Sequence, residues 1–478
     1  MAALTAFARC VPLDICSMTA SRTARPRFGS GSHLIIDNCA IITGDGHSHF
    51  PLGYLEIKDG HISEIGSGRY EHAPPDEAIL FDAQGAMTLP GVINAHAHGC
   101  MSGPLMPSGS ISSRDHDIEY QKNRHLLGGT TTLLNVCGFS LSRSRAERTH
   151  PIDVRWTSAH TPASKAAALA VDGTGLLAEH LSASITTAIE QGAVGLGEGG
   201  GGQTLGGGAQ DYKFIPAAIL KHTGVSLDAH TAGRLKNMLF GRDLMGKDRA
   251  PWSDFVTLCE QLGLVETHDA HSIAAVMSST VLPSVGKALK GLEELAHWSS
   301  KTGLPALLHT AAPSARAVVD LAQKYPEACL IAAHCNHPSF TPQESVQLAT
   351  ELKSLGVAIE ACTLDTITTR WRNSADNLDA LVNAGLVDIL STDYAGGHWD
   401  GLLEAIHRIV RLGQMAMAEA VALATGNVAR LFPDFADRGQ LTIGKRADVV
   451  IADSRNLGRV RHVLIGGKIV VRDGIVVG

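Results

Sequence analysis

Basic runs are missing from this chain. Its 478 residues carry a net charge of −7 and no cluster of Lys or Arg, which excludes nucleic acid as the expected partner. Charged residues make up 18% and aromatics only 5%, the balance of an ordinary soluble globular enzyme. No stretch reaches the roughly 20 apolar residues that cross a bilayer, so no membrane partner is expected. The nine cysteines are odd in number, scattered, and contain no C-x-x-C pair. That argues against a disulfide framework and for a reducing compartment, with the cytoplasm as the expected location. Gly199–Gly208 is glycine-rich yet lacks G-x-x-x-x-G-K-[ST], which rules out a phosphate loop. Cys335, beside a histidine, reads as a buried small hydrophobe.

What the chain has in quantity is glycine, at 50 residues, and histidine, at 23. Two of the histidines stand out. Residues 90–99 read Pro-Gly-Val-Ile-Asn-Ala-His-Ala-His-Gly, an apolar strand running into a Gly/Pro/Ser-rich loop. In a strand, residues i and i+2 share a face, so His96 and His98 project together at the C-terminal end and are placed to grip a metal.

The length suggests two to three domains. Residues 1–32 carry Arg9, Arg22, Arg25 and Arg27 against one acid, Asp14, and no apolar stretch with a cleavage site. They read as a disordered N-terminal extension. From 33 to 89 short strands and turns alternate, with Asp59-Gly60 as a hairpin signal. The same texture returns at 437–478, and the two pieces are expected to form one small β-sandwich. Between them, 90–436 alternates strand and helix. Expected strands are Val92–His98, Thr130–Cys137, Val154–Ala159, Ala193–Glu198, Leu304–His309, Cys329–His334, Val357–Cys362 and Val387–Asp393. Expected helices include Ser314–Lys324, Gln343–Leu355 and Asn377–Ala384. The fold class is therefore α/β, a (β/α)8 TIM barrel beside a β-sandwich.

Chemistry in such barrels sits at the C-terminal strand ends, and the polar residues collect there: His96, His98, Glu198, His309, His334 and Asp393. Four imidazoles and a glutamate suit a pair of divalent cations, with Glu198 between His96/His98 on one side and His309/His334 on the other. Water shared by two such ions is acidified toward neutrality. Asp393 is placed to take its proton and pass it to a leaving nitrogen.

Five stretches in this order resemble the amidohydrolase superfamily: the 90–99 motif, Gly128-Gly-Thr-Thr-Thr, Ser391-Thr-Asp, Ala424-Thr-Gly-Asn-Val-Ala-Arg-Leu and Gly444-Lys-Arg-Ala-Asp-Val-Val-Ile-Ala-Asp. Together they cover nearly everything from residue 33 onward. Val194-Gly-Leu-Gly-Glu and the Ala-Thr-Gly-Asn stretch look most like the enamidase branch, which hydrolyses a cyclic enamide with a glutamate-bridged metal pair. The resemblance implies a barrel plus β-sandwich, a bound metal centre, hydrolysis of a C–N bond and a homo-oligomer. Many members bridge their metals with a carboxylated lysine, and no lysine ends the Ala193–Glu198 strand. Glu198 takes that place, with Lys213 as a weaker rival.

The fifth strand has two candidates. Pro305-Ala-Leu-Leu-His-Thr places His309 one barrel repeat before His334, whereas Val225-Ser-Leu-Asp-Ala-His would make His230 the ligand. His309 is preferred, and 211–285 then becomes an insertion containing His230, Arg234 and His268. His230 and His160 are the candidate substrate contacts. Trp371, Arg372 and Tyr394 are further candidates for lining the pocket, although aromatics more often simply pack. His337, three residues past His334, reads as a solvent-exposed loop residue. The expected cofactor is a divalent metal, two per chain, with Zn2+ first and Fe2+ or Mn2+ as alternatives. The expected substrate is a small, cyclic amide. A single-metal deaminase of a heterocycle and a non-catalytic ligand-binding barrel are the alternatives.

Overall fold

The computed structural model describes residues 33–141, 149–200, 205, 210–246, 248–266, 268–363, 374–393 and 401–477. The N-terminal extension, most of the Gly199–Gly208 loop, and Trp371, Arg372 and Tyr394 lie outside the described residues.

The two ends of the chain meet in one mixed sheet. Strands β1 (His33–Ile42), β2 (His49–Lys58), β3 (His61–Ser67), β4 (Ile79–Asp82) and β5 (Met87–Pro90) come from the N-terminal side. The β2–β3 hairpin turns at Asp59 and Gly60, whose φ values of 48° and 78° fit a type I′ turn.

Eight parallel strands follow among the described residues: β6 (Val92–Ala97), β7 (Thr130–Asn135), β8 (Asp153–Ser158), β9 (Gly195–Gly199), β10 (Ala306–His309), β11 (Leu330–Ala333), β12 (Ala358–Cys362) and β13 (Ile389–Ser391). They lie side by side in chain order. The edge strands β6 and β13 are tied together: Asp393 N donates to His96 O at 2.9 Å, and Asn94 Nδ2 donates to Thr392 Oγ1 at 2.8 Å. This is a (β/α)8 barrel. Strands β14 (Val449–Asp453), β15 (Asn456–Ile465), β16 (Lys468–Arg472) and β17 (Ile475–Val476) then return to the terminal sheet, where β14 pairs with β5. That sheet keeps its own core of Ile36, Ile41, Leu55, Ile57, Val449 and Leu464.

Strands β6, β7, β9, β10, β11 and β13 are fully buried, and β8 and β12 nearly so, as parallel strands covered by helices are expected to be. Leu307, Ile331 and Ile389 pack in one cluster with Phe432 and Phe435. On β10 Leu307 shares a face with His309, so the apolar layer and the polar residue are stacked along one strand.

Between β9 and β10 the chain makes a helical excursion: Ile215–Thr223, Ala229–Phe240, Trp252–Gln261 and the 33-residue Ala270–Thr302. The rival strand Val225–His230, set aside in favour of the one carrying His309, is not formed. Gly224, in the left-handed region, ends one helix, and Asp228 caps the next by accepting from Thr231 N at 2.7 Å. By length and composition Ala270–Thr302 is apolar enough to cross a bilayer, contrary to expectation. Its Ile273, Met277, Val281, Leu292 and Leu295 are nevertheless buried, and it packs on helices Pro162–Val171 and Ile215–Thr223.

Candidate metal centre

Six residues expected from sequence converge at the C-terminal strand ends. His96 is in β6 and His98 just beyond it; their ring centroids are 5.2 Å apart. Glu198 is in β9, His309 ends β10, and His334 and Asp393 follow β11 and β13. His334 and Asp393 adopt φ of 38° and 49°, left-handed values that cost roughly 1–3 kcal/mol and gather at functional sites.

Glu198 lies between the two histidine pairs. Its Oε2 is 3.8 Å from His96 Nε2 and 3.7 Å from His98 Nε2. Its Oε1 is 2.8 Å from His309 Nδ1 and 3.0 Å from His334 Nε2. Asp393 Oδ1 stands 3.3 Å from His96 Nε2 and 3.2 Å from His98 Nε2. Donor atoms around a tetrahedral ion with bonds of about 2 Å are about 3.3 Å apart, so the separations around His96 and His98 suit one. His96 Nε2 is buried without a hydrogen-bond partner. Two ligand groups result, His96/His98/Asp393 and Glu198/His309/His334.

The electrostatics point the same way. Burial pushes the Glu198 carboxyl up, and hydrogen bonds from His309 and His334 outweigh it and hold it well below its usual range. Burial likewise raises Asp393, but the charge of His96 and the His98 hydrogen bond bring it to about 2. Burial lowers His96, and the carboxylates of Glu360, Asp393 and Glu198 draw it up to about 10. The cluster demands positive charge, and divalent cations meet that demand with these donors.

Other expected residues stand elsewhere. His230 is exposed in the first turn of helix Ala229–Phe240 and is not brought to the cluster. Lys213 pairs with Asp172 at 3.0 Å and is half exposed, which removes it as a bridging candidate. His160 follows β8, buried, with Nδ1 2.9 Å from Ser158 Oγ and its ring edge-on to Phe139. The Cys335 thiol is buried and burial raises it, in keeping with an inert core residue.

Two residues escaped the sequence reading. His337 is half-buried rather than exposed, its ring 5.7 Å from that of His309 and 5.6 Å from that of His334. Glu360, in β12, is completely buried with Oε2 2.9 Å from His96 Nδ1. A carboxylate inside the apolar run Ala-Ile-Glu-Ala-Cys was the available signal, since an unpaired charge is not left in a barrel wall.

Fold and site define a (β/α)8 barrel with a histidine–carboxylate centre at its C-terminal mouth. The amidohydrolase family model matches residues 294–470. Over those residues, 294–470, the chain is similar to the amidohydrolase family. The L-hydantoinase (dihydropyrimidinase) of Arthrobacter aurescens has the same fold, with TM-score 0.56 over 93% of this chain and 97% of that one at 15% identity. A 5-methylthioadenosine/S-adenosylhomocysteine deaminase of Syntrophomonas wolfei is 39% identical over 70 residues, 14% of this chain and 16% of that protein. The D-hydantoinase of Ralstonia pickettii is 33% identical over 115 residues, 24% of this chain and 22% of that protein. The chain thus matches only about a sixth to a fifth of the length of these two curated relatives.

Proposed function

We propose that this chain is a metal-dependent hydrolase that opens the C–N bond of a small cyclic amide. The observation that carries the reading is Glu198, with one oxygen toward His96 and His98 and the other toward His309 and His334. His96, His98, Glu198, His309 and His334 would hold two divalent cations, zinc first, with Fe2+ or Mn2+ as alternatives. Cations bound there supply Lewis acidity, which polarises a carbonyl and makes water acidic near neutral pH.

The chain's own residues do the rest. Asp393 has a side chain 19% exposed, against 6% or less for the five proposed ligands, so it is the carboxylate a substrate can reach. It accepts the proton of the attacking water and delivers it to the departing nitrogen, which then leaves as an amine still tethered in the opened ring. The His309 and His334 rings form the opposite wall, and the buried strand ends limit access of bulk water. The hydantoinase relatives motivate the cyclic-amide class. The reading also carries a cytoplasmic, homo-oligomeric enzyme.

The deaminase relative favours a second reading, removal of an amino group from a heterocycle around a single cation. Metal analysis of the purified protein, combined with assays on hydantoins, lactams, imides and aminated heterocycles, separates the two. Two ions per chain and ring opening support the amide reading. One ion and ammonia release favour deamination, and a metal-loaded protein inert toward the whole panel overturns both.

A further inference from the structure

We propose that Glu360 is a positioning residue that fixes the His96 imidazole so that Nε2 is the atom offered to a cation. The inference rests on the reading of His96 as a metal ligand. Glu360 stands behind the ring: Oε2 is 2.9 Å from Nδ1, whereas Nε2, on the far edge, faces Asp393 Oδ1 at 3.3 Å. Both side chains have no solvent exposure, so water cannot substitute for either.

The direction of the hydrogen bond follows from the neighbours. His334 N donates to the same Oε2 at 3.2 Å, and a backbone N–H can only donate. Oε2 is therefore an acceptor, Nδ1 carries the hydrogen, and the Nε2 lone pair is left for coordination. Ser391 Oγ donates to Oε1 at 2.5 Å and locks the carboxylate from the other side. One carboxylate thus braces His96 of one ligand group and the backbone of His334 of the other. Histidine ligands characteristically need such a partner on their second nitrogen.

The same contacts argue against Glu360 being a ligand itself with His96 and Cys362, the other possible grouping here. Its two oxygens already accept from three groups on the rear of the ring. The Cys362 thiol meets Ser391 Oγ at 3.3 Å.

The test compares full-length wild type with Glu360→Gln, Glu360→Asp and His96→Ala. Zinc affinity is measured by competition with a chelator, and the visible spectrum of Co2+-loaded protein reports ligand geometry. Glu360→Gln is nearly isosteric and keeps an oxygen acceptor for Nδ1, so affinity and spectrum stay close to wild type. Glu360→Asp keeps the charge but withdraws the acceptor by about one C–C bond, roughly 1.5 Å. It loses about 10- to 100-fold in affinity for one ion and shifts the Co2+ spectrum. Wild-type behaviour of Glu360→Asp overturns the proposal, as does a loss in Glu360→Gln equal to that in Glu360→Asp, which would make charge rather than position the cause. If His96→Ala binds metal like wild type, the ligand reading itself has failed and the inference falls with it. Thermal unfolding of each variant identifies any that is simply misfolded; if Asp is, Glu360→Met, which removes the acceptor at similar volume, takes its place with the same loss expected and wild-type affinity overturning the proposal.

Discussion

Asp393 is held on three sides. Its carboxylate faces His96 and His98, its backbone N–H closes the barrel onto His96 O, and its φ is left-handed. Asp393→Asn keeps the shape and removes the proton acceptor. Under the proposed mechanism it lowers kcat by about 10²- to 10⁴-fold, the usual weight of general acid–base catalysis, while KM changes little. Steady-state kinetics check this, and a kcat within a few-fold of wild type would remove Asp393 from the reaction. His96, His98, Glu198, His309, His334 and Asp393 were legible in the sequence because each ends or follows an apolar strand. Glu360 was passed over: a carboxylate interrupting an apolar strand marks a buried charge, but it has no periodic signature that names its partner. Its partner, His96, lies 264 residues away.

At the scale of elements, all eight barrel strands fall within or close to the stretches that apolar patterning marks out. Val225–His230 shows where that signal fails. Six residues of alternating apolar and polar character satisfy a strand, yet Gly224 and Asp228 are stop and start signals for helices. The local capping chemistry prevails over the alternation. Asp228→Ala removes the cap of helix Ala229–Phe240 and should loosen its first turn. Hydrogen exchange would be faster at the first-turn amides, Thr231 above all, with the barrel strands unchanged. Uniform protection in both proteins would mean that packing, not the cap, sets where the helix begins. The helix is also tied to the barrel just beyond its end: Arg242 makes a bidentate pair with Glu344 at 2.7 and 2.8 Å and donates to Ser339 O.

For the whole molecule, the junction between barrel and terminal sheet is one acid-sensitive point. Asp153, at the start of β8, meets Arg438, in the segment leading back to the sheet, at 2.6 Å. Burial pushes the Asp153 carboxyl up, and the Arg438 hydrogen bond with the charges of Arg155 and Arg438 overcomes this and holds it at about 2. The folded value lies below the ordinary one. The pair therefore contributes its stability above about pH 4 and loses it as pH falls toward 2. Over that window the linkage amounts to about 2 kcal/mol. Asp153→Asn should flatten the acid limb of a stability–pH profile measured by denaturant unfolding, and an unchanged limb would assign acid sensitivity elsewhere.

The bond from Asp393 N to His96 O, with that from Asn94 to Thr392 beside it, joins two ends of the barrel nearly 300 residues apart in the chain: Asn94 and Thr392 are separated by 298. During synthesis His96 leaves the ribosome long before its partner exists. The first histidine pair must wait, undocked, until the eighth strand emerges. A nascent chain halted before residue 393 lacks Asp393, and with it the third member of the His96/His98/Asp393 group.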